Sequence, residues 1–322
     1  MSERLSAASR PLPPGRLVDL GRHKLHLTCQ GAGEPAVVFD AALAGSSLSW
    51  TLVQPQVAAV TRACAYDRAG LGWSERGTLP RTAGRLADEL YELVCRGGVA
   101  TPLVLVGHSF GAFVAQLFAA RHPDAVAGLV LLEPAHADEW LNPPDAERKR
   151  VARGAALCRY GTTATRYGLG TIVSGLIRIG ALTAARRLVR MISRGQLKEE
   201  DEGMIAQAGK LPPHVRRWLL DMWTQPKFFE AVGSQIESII DSAAEVAREA
   251  PPRYGRLPLV VITGSAAAGA RIRADAALAG RSDRGRHVIA ANCGHWIPLD
   301  APDVVASEIN RLIRDLRTSP PL

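Results

Sequence analysis

Cysteine is scarce in this chain of 322 residues: there are five, and no two stand at the C-x-x-C spacing. An odd number without that spacing argues against a zinc site or a disulfide framework, and for a reducing interior. A membrane-spanning run is missing too, since the longest uncharged stretch of the helix-rich middle, residues 167–177, is too short to cross a bilayer. The first fifteen residues carry Pro11, Pro13, Pro14 and Gly15 but no apolar segment of a secretory signal, and read as a loose arm. A cytoplasmic protein without stable membrane insertion is therefore expected. No Walker-type loop or dinucleotide fingerprint follows an early strand, so no nucleotide cofactor is expected. No repeats or low-complexity tracts appear. The net charge of +8 is not gathered into a basic stripe: arginines are scattered and acids accompany them, as in Lys198-Glu199-Glu200-Asp201-Glu202. Such charge serves solubility and excludes a nucleic-acid reading.

What the chain does have is apolar material, 47% of its residues, in a repeating order of strand pattern followed by helix pattern. That order implies an α/β fold with a mostly parallel sheet covered on both faces. An apolar run over residues 101–106 leads into Gly107-His108-Ser109-Phe110-Gly111, and an apolar helical pattern follows over 113–120. This is the strand-turn-helix context that G-x-S-x-G needs to present a serine at a sheet edge. The glycines allow strand and helix to cross closely, and the N–H of Phe110 points into the positive end of the helix, where an oxyanion would gather. The plainer alternative is a helix start with a serine near its N-cap. His108 is a strand neighbour of Ser109 and points away from it, so it is read as a packing residue.

The base must come from elsewhere. Asn292-Cys293-Gly294-His295-Trp296 lies between a strand pattern at 287–291 and a helix opened by Asp300-Ala301-Pro302-Asp303, and a histidine on such a loop reaches over the sheet edge. His23, His26, His122, His214 and His287 sit in strand or helix patterns, where surface or packing roles are the rule. Cys293, two residues from His295, is read as a small buried residue at the pocket rim.

From about residue 16 to 316 the chain resembles the α/β-hydrolase superfamily. The resemblance rests on the elbow, on Tyr66-Asp67-Arg68-Ala69-Gly70-Leu71-Gly72-Trp73-Ser74 after the fourth strand, and on the Gly-His loop, in the order expected. It implies the α/β-hydrolase fold with a helical lid, Ser109 as nucleophile, His295 as base and no cofactor or metal. Asp67 and Arg68 are read as structural, tying their loop by charge-assisted bonds. Many relatives carry His-Gly after the third strand, whereas this chain has Asp40-Ala41-Ala42-Leu43-Ala44-Gly45. Leu43 is then the second oxyanion donor, on a loop path of its own. The acid of such enzymes commonly follows the seventh strand, but Gly264-Ser265-Ala266-Ala267-Ala268-Gly269 holds none. Some members place it after the sixth, where Glu133 stands. Capping of the first lid helix is its alternative role. Asp275, in a helical pattern, and Asp283, in a polar loop, are the later candidates.

The expected division is an arm at 1–15, a core at 16–133, a helical lid at 134–252 and the rest of the core at 253–322. Residues 171–194 read as an amphipathic helix with Arg186, Arg190 and Arg194 on its polar side and its apolar side toward the active site. Trp218, Trp223, Phe228 and Phe229 suit a lipophilic pocket or a surface-bound state. The whole implies a serine hydrolase acting on a small-molecule apolar ester. A lactonase, amidase, carbon-carbon bond hydrolase or cofactor-free haloperoxidase shares these residues. A non-catalytic receptor for a small ligand stays open because the usual acid is missing. Oligomeric state is not legible.

Overall fold

The computed structural model describes residues 14–178, 187 and 207–318. Eight strands form one sheet: β1 (Arg16–Asp19), β2 (Lys24–Gln30), β3 (Val37–Asp40), β4 (Ala63–Tyr66), β5 (Leu103–His108), β6 (Val126–Leu132), β7 (Leu259–Gly264) and β8 (Gly285–Ala290). Their order is β1-β2-β4-β3-β5-β6-β7-β8, with β1 and β2 antiparallel and the rest parallel. The α/β-hydrolase fold expected from the sequence is thus the fold observed.

Among the described residues the helices are α1 (Gln54–Ala58), α2 (Ala83–Arg96), α3 (Gly111–Arg121), α4 (Ala137–Leu141), α5 (Asp145–Arg166), α6 (Leu169–Arg178), α7 (Pro213–Trp223), α8 (Pro226–Glu237), α9 (Ile239–Glu249), α10 (Gly269–Ala279), α11 (Ile297–Asp300) and α12 (Pro302–Thr318). The central strands are buried on both faces, which is why they read as unbroken apolar runs. Val38, Leu105, Leu131 and Val261 pack with Leu90 of α2, Phe113 of α3 and Val246 of α9. Their strand neighbours Phe39, Val106, Val130 and Ile262 pack the other way, with Val57 of α1 and Ile309 and Leu312 of α12.

The chain leaves β3 for β4 on one side and returns to β5 on the other, so the loops after β3 and β5 diverge at a topological switch point, where α/β sheets bind ligands. Helices α4 to α9 stand between β6 and β7. The last two are pinned to the core by polar bonds: Ser234 Oγ accepts from the Arg81 N–H at 2.9 Å, Ser242 Oγ from the Ala83 N–H at 2.9 Å, and Glu245 from the Gly84 N–H at 2.7 Å.

Two expectations change. Cys29 and Cys64 form a disulfide, directly opposite each other where β2 pairs antiparallel with β4; Cys95, Cys158 and Cys293 are free. The cysteine count could not reveal a pair brought together by strand register 35 residues apart, and it no longer supports a reducing interior. Of the amphipathic segment at 171–194, residues 171–178 belong to α6, and residues 179–186 and 188–194 lie outside the described residues. In the described part Ile172 is 52% exposed. Among the described residues no helix is long and apolar enough to cross a membrane.

Candidate active site

The turn from β5 into α3 is built by steric exclusion. A Cβ on Gly107 would lie 2.5 Å from the Gly111 carbonyl oxygen, and one on Gly111 would lie 2.6 Å from that of Asp40. Between them Ser109 holds φ +53°, a conformation costly for a residue with a Cβ and kept only where its surroundings fix it. They do: the Ser109 N–H donates to Leu132 O at 2.9 Å, and Ser109 O accepts from the N–H groups of Ala112 (2.9 Å) and Ala135 (3.2 Å). The Phe110 N–H, at the start of α3, has no acceptor among the described residues.

His295 lies on the loop after β8, beyond Asn292 at φ +56°, with its side chain 46% exposed. Its Nδ1 is 3.4 Å from Glu133 Oε2. Glu133 follows β6 directly, holds φ +43° and is 8% exposed; its Oε1 accepts the Gly264 N–H at 2.7 Å. The structure thus brings Glu133 to His295 and keeps the other acids away. Asp275 bonds to His136 and Thr263, and Asp283 to Arg253. A carboxylate on Nδ1 leaves Nε2 as the proton-accepting nitrogen.

His108 does more than pack. Its Nε2–H donates to His295 O at 2.7 Å, and the two rings lie 5.0 Å apart. Burial, assisted by the neighbouring His295 ring, pushes its pKa down to about 3, so it is a neutral donor at ordinary pH. The buried imidazole tethers the loop that carries His295. The only sequence signal was a histidine beside the nucleophile. Because its folded pKa lies below the unfolded value, the unfolded chain binds the extra proton between pH 3 and 6.5, and stability contributed by neutral His108 is lost as pH falls. His108→Gln removes that dependence. The stability difference, variant minus parent, should rise by about 1.4 kcal/mol per pH unit from pH 6 to 4 in urea titrations. A pH-independent difference would refute the neutral buried imidazole.

The loop after β3 takes a path set by Arg68. Its Nε donates to Asp40 Oδ1 at 2.8 Å, its Nη2 to Ala41 O at 2.5 Å, and its Nη1 to Gln235 Oε1 of α8 at 3.2 Å. Burial raises Asp40 to about 6 although Arg68 opposes it. The guanidinium also sits 5.2 Å from the Phe110 ring, so one cation braces both loops that carry the expected oxyanion donors. The positive φ of +62° falls on Ala44, one residue past Leu43, whose N–H has no acceptor among the described residues. Asp67 is structural, as read: it accepts the N–H groups of Ser47 (2.7 Å) and Trp73 (2.9 Å), and a Cβ on Gly72 would lie 2.1 Å from its Oδ2.

An apolar crevice of about 40 Å³ lies between Leu43, Trp296 and the insertion residues Leu211, Leu219 and Trp223. Residues of α7 and just before it thus line this crevice from the insertion side. Trp218 stacks edge-on with Trp73, and Phe228 packs in the cluster that joins α8 to α5. Behind the His295 loop a more open cleft of about 400 Å³ is lined by Cys293, Ser265 and Lys210, with Lys210 paired to Asp300. Cys293 is 4% exposed, the small buried residue expected, and it borders this cleft.

The family model described as alpha/beta hydrolase fold matches residues 35–163. An AB hydrolase superfamily protein of Gibberella zeae is 36% identical over 104 residues, 31% of this chain and 32% of that protein. Less than half the length of the curated relatives is spanned by these matches. Among solved structures, a thermophilic esterase from Thermogutta terrifontis is similar over 92% of this chain and 95% of its own, with TM-score 0.63 and 20% identity. The epoxide hydrolase CorEH is similar over 94% and 99%, with TM-score 0.63 and 18% identity. Residues 35–163 thus match the alpha/beta hydrolase family model, and the chain as a whole has the α/β-hydrolase fold.

Proposed function

We propose that this protein is a cofactor-free serine hydrolase that cleaves carboxylic esters of small to medium apolar substrates through an acyl-enzyme. Ser109 Oγ attacks the carbonyl carbon while His295 Nε2 takes its proton, and the tetrahedral oxyanion rests on the N–H groups of Phe110 and Leu43. The carbon–alkoxide bond then breaks, the alcohol leaves with the proton from His295, and water repeats the sequence on the acyl-enzyme. Glu133 holds His295 in the productive tautomer and stabilises the imidazolium. The observation that carries the reading is the approach of Glu133 to Nδ1 of His295, 162 residues away, at the edge where Ser109 is presented. A serine at the elbow separates this chemistry from that of superfamily members whose nucleophile is a carboxylate. The esterase likeness agrees with it.

The test is a fluorophosphonate probe with a panel of 4-nitrophenyl esters. The probe should label Ser109, which a receptor without an activated serine would not allow. Because each buried methylene contributes about 0.8 kcal/mol, kcat/KM should rise roughly tenfold from acetate to butyrate, and anionic acyl groups should be poor. Acetate and charged esters as the best substrates would overturn the apolar-pocket reading. An unlabelled Ser109 would overturn the serine mechanism.

A further inference from the structure

Next to Glu133 stands a second carboxylate–imidazole arrangement that the mechanism does not use. Asp275 of α10 is fully buried. Its Oδ1 accepts from His136 Nε2 at 2.5 Å and its Oδ2 from Thr263 Oγ1 at 2.6 Å. Since the single hydroxyl proton of Thr263 goes to the carboxylate, Thr263 Oγ1 accepts in turn from His287 Nε2, 2.8 Å away.

These bonds close a ring through the proposed acid. Thr263 precedes Gly264, whose N–H holds Glu133 Oε1 at 2.7 Å, and His136 lies three residues after Glu133. From the same helix as Asp275, Arg271 donates to Pro134 O at 2.8 Å and pairs with Glu139. Helix α10 therefore grips the turn after β6 at two points and the end of β7 at a third. Glu133 sits at φ +43°, which a residue with a side chain keeps only when its surroundings over-determine it. One of its oxygens is spent on β7, so where the other points depends on the spacing between the β6 turn and the β7 end. Asp275 spans that spacing.

We propose that Asp275, with its two partners His136 and Thr263, is a positioning residue that aims Glu133 at His295, an inference that rests on Glu133 being the acid of the proposed hydrolase. No substrate contact is assigned to it. It acts by holding two segments, the Glu133 turn and the Thr263–Gly264 end of β7, at one separation.

The experiment measures hydrolysis of 4-nitrophenyl butyrate by Thr263→Val, Thr263→Ser and His136→Gln, each alone and combined with Glu133→Gln. Thr263→Val and His136→Gln should each lower kcat about 10- to 100-fold, as small misplacements of catalytic groups do, with KM little changed. Thr263→Ser, which keeps the hydroxyl, should restore the parent's kcat. In the Glu133→Gln background neither change should reduce kcat further, because the group it aims is already disabled. His136 is 16% exposed at the rim of the network, so His136→Gln carries the test if Thr263→Val does not fold. Parent-like kcat in folded Thr263→Val and His136→Gln, with Glu133→Gln impaired, overturns the positioning role and leaves the triad acid standing. An equal loss on top of Glu133→Gln overturns it too, since the residues would then act by another route. Parent-like kcat in Glu133→Gln itself removes the triad acid, and the positioning role with it.

Discussion

Ser109→Ala should keep the parent's fold and melting temperature and hydrolyse 4-nitrophenyl esters about a thousandfold or more slowly. The expectation of a normal fold follows from the elbow: its backbone bonds to Leu132, Ala112 and Ala135 all involve the main chain of Ser109. Its hydroxyl has no hydrogen-bond partner among the described residues, so alanine leaves no buried group unsatisfied. The expected loss of turnover follows from chemistry. Without Oγ the acyl-enzyme does not form, and the donors of Phe110 and Leu43 are left to assist only attack by water. Steady-state assays on purified variant and parent decide it, and substantial hydrolysis by Ser109→Ala would end the serine mechanism.

Glu133→Gln should lower kcat about a hundredfold or more with little change in melting temperature. The amide keeps the side chain's shape, and its carbonyl oxygen accepts the Gly264 N–H as Oε1 does now. What it loses is charge. With the carboxylate 3.4 Å from Nδ1 replaced by a neutral group, the imidazolium formed during attack is no longer stabilised, and the other tautomer becomes competitive. Asp283→Asn should stay within a few-fold of the parent, since Asp283 is half-exposed and paired with Arg253. Full activity in Glu133→Gln would return the search for the acid to the rest of the chain.

Those features that depend on residues near one another in the sequence were legible. The elbow, the strands that read as apolar runs and the helix after Pro302 lie within a residue or two of where the patterns put them. Glu133 was legible by position, as an acid at a strand's end where the usual place holds none, and the structure brings it to His295. Other features depend on juxtaposition across the sheet and left no local trace. Cys29 meets Cys64 because of strand register, His108 reaches the His295 carbonyl from the next strand but two, and Asp275 meets His136 from 139 residues away. The helical period around Asp275 placed it on α10 correctly and said nothing of its fully buried carboxylate. Arg68 was read as a tie for its own loop, yet its side chain bonds instead to Gln235 and to the loop after β3, where the sequence departs from the pattern common in the superfamily.

Strands β6 and β7 lie side by side, Leu132 opposite Ile262, although the helices α4 to α9 are threaded between them. Closing so long an excursion is nearly insensitive to its length, since doubling a loop costs only about 0.6 kcal/mol. The pairing that sets Glu133 beside Gly264 is therefore little affected by the length of the excursion, while its last two helices, α8 and α9, are tied into the core. A change at Gln235 of α8 would reach the catalytic edge all the same, because Gln235 meets Arg68 and the loop bearing Leu43 would lose part of its brace.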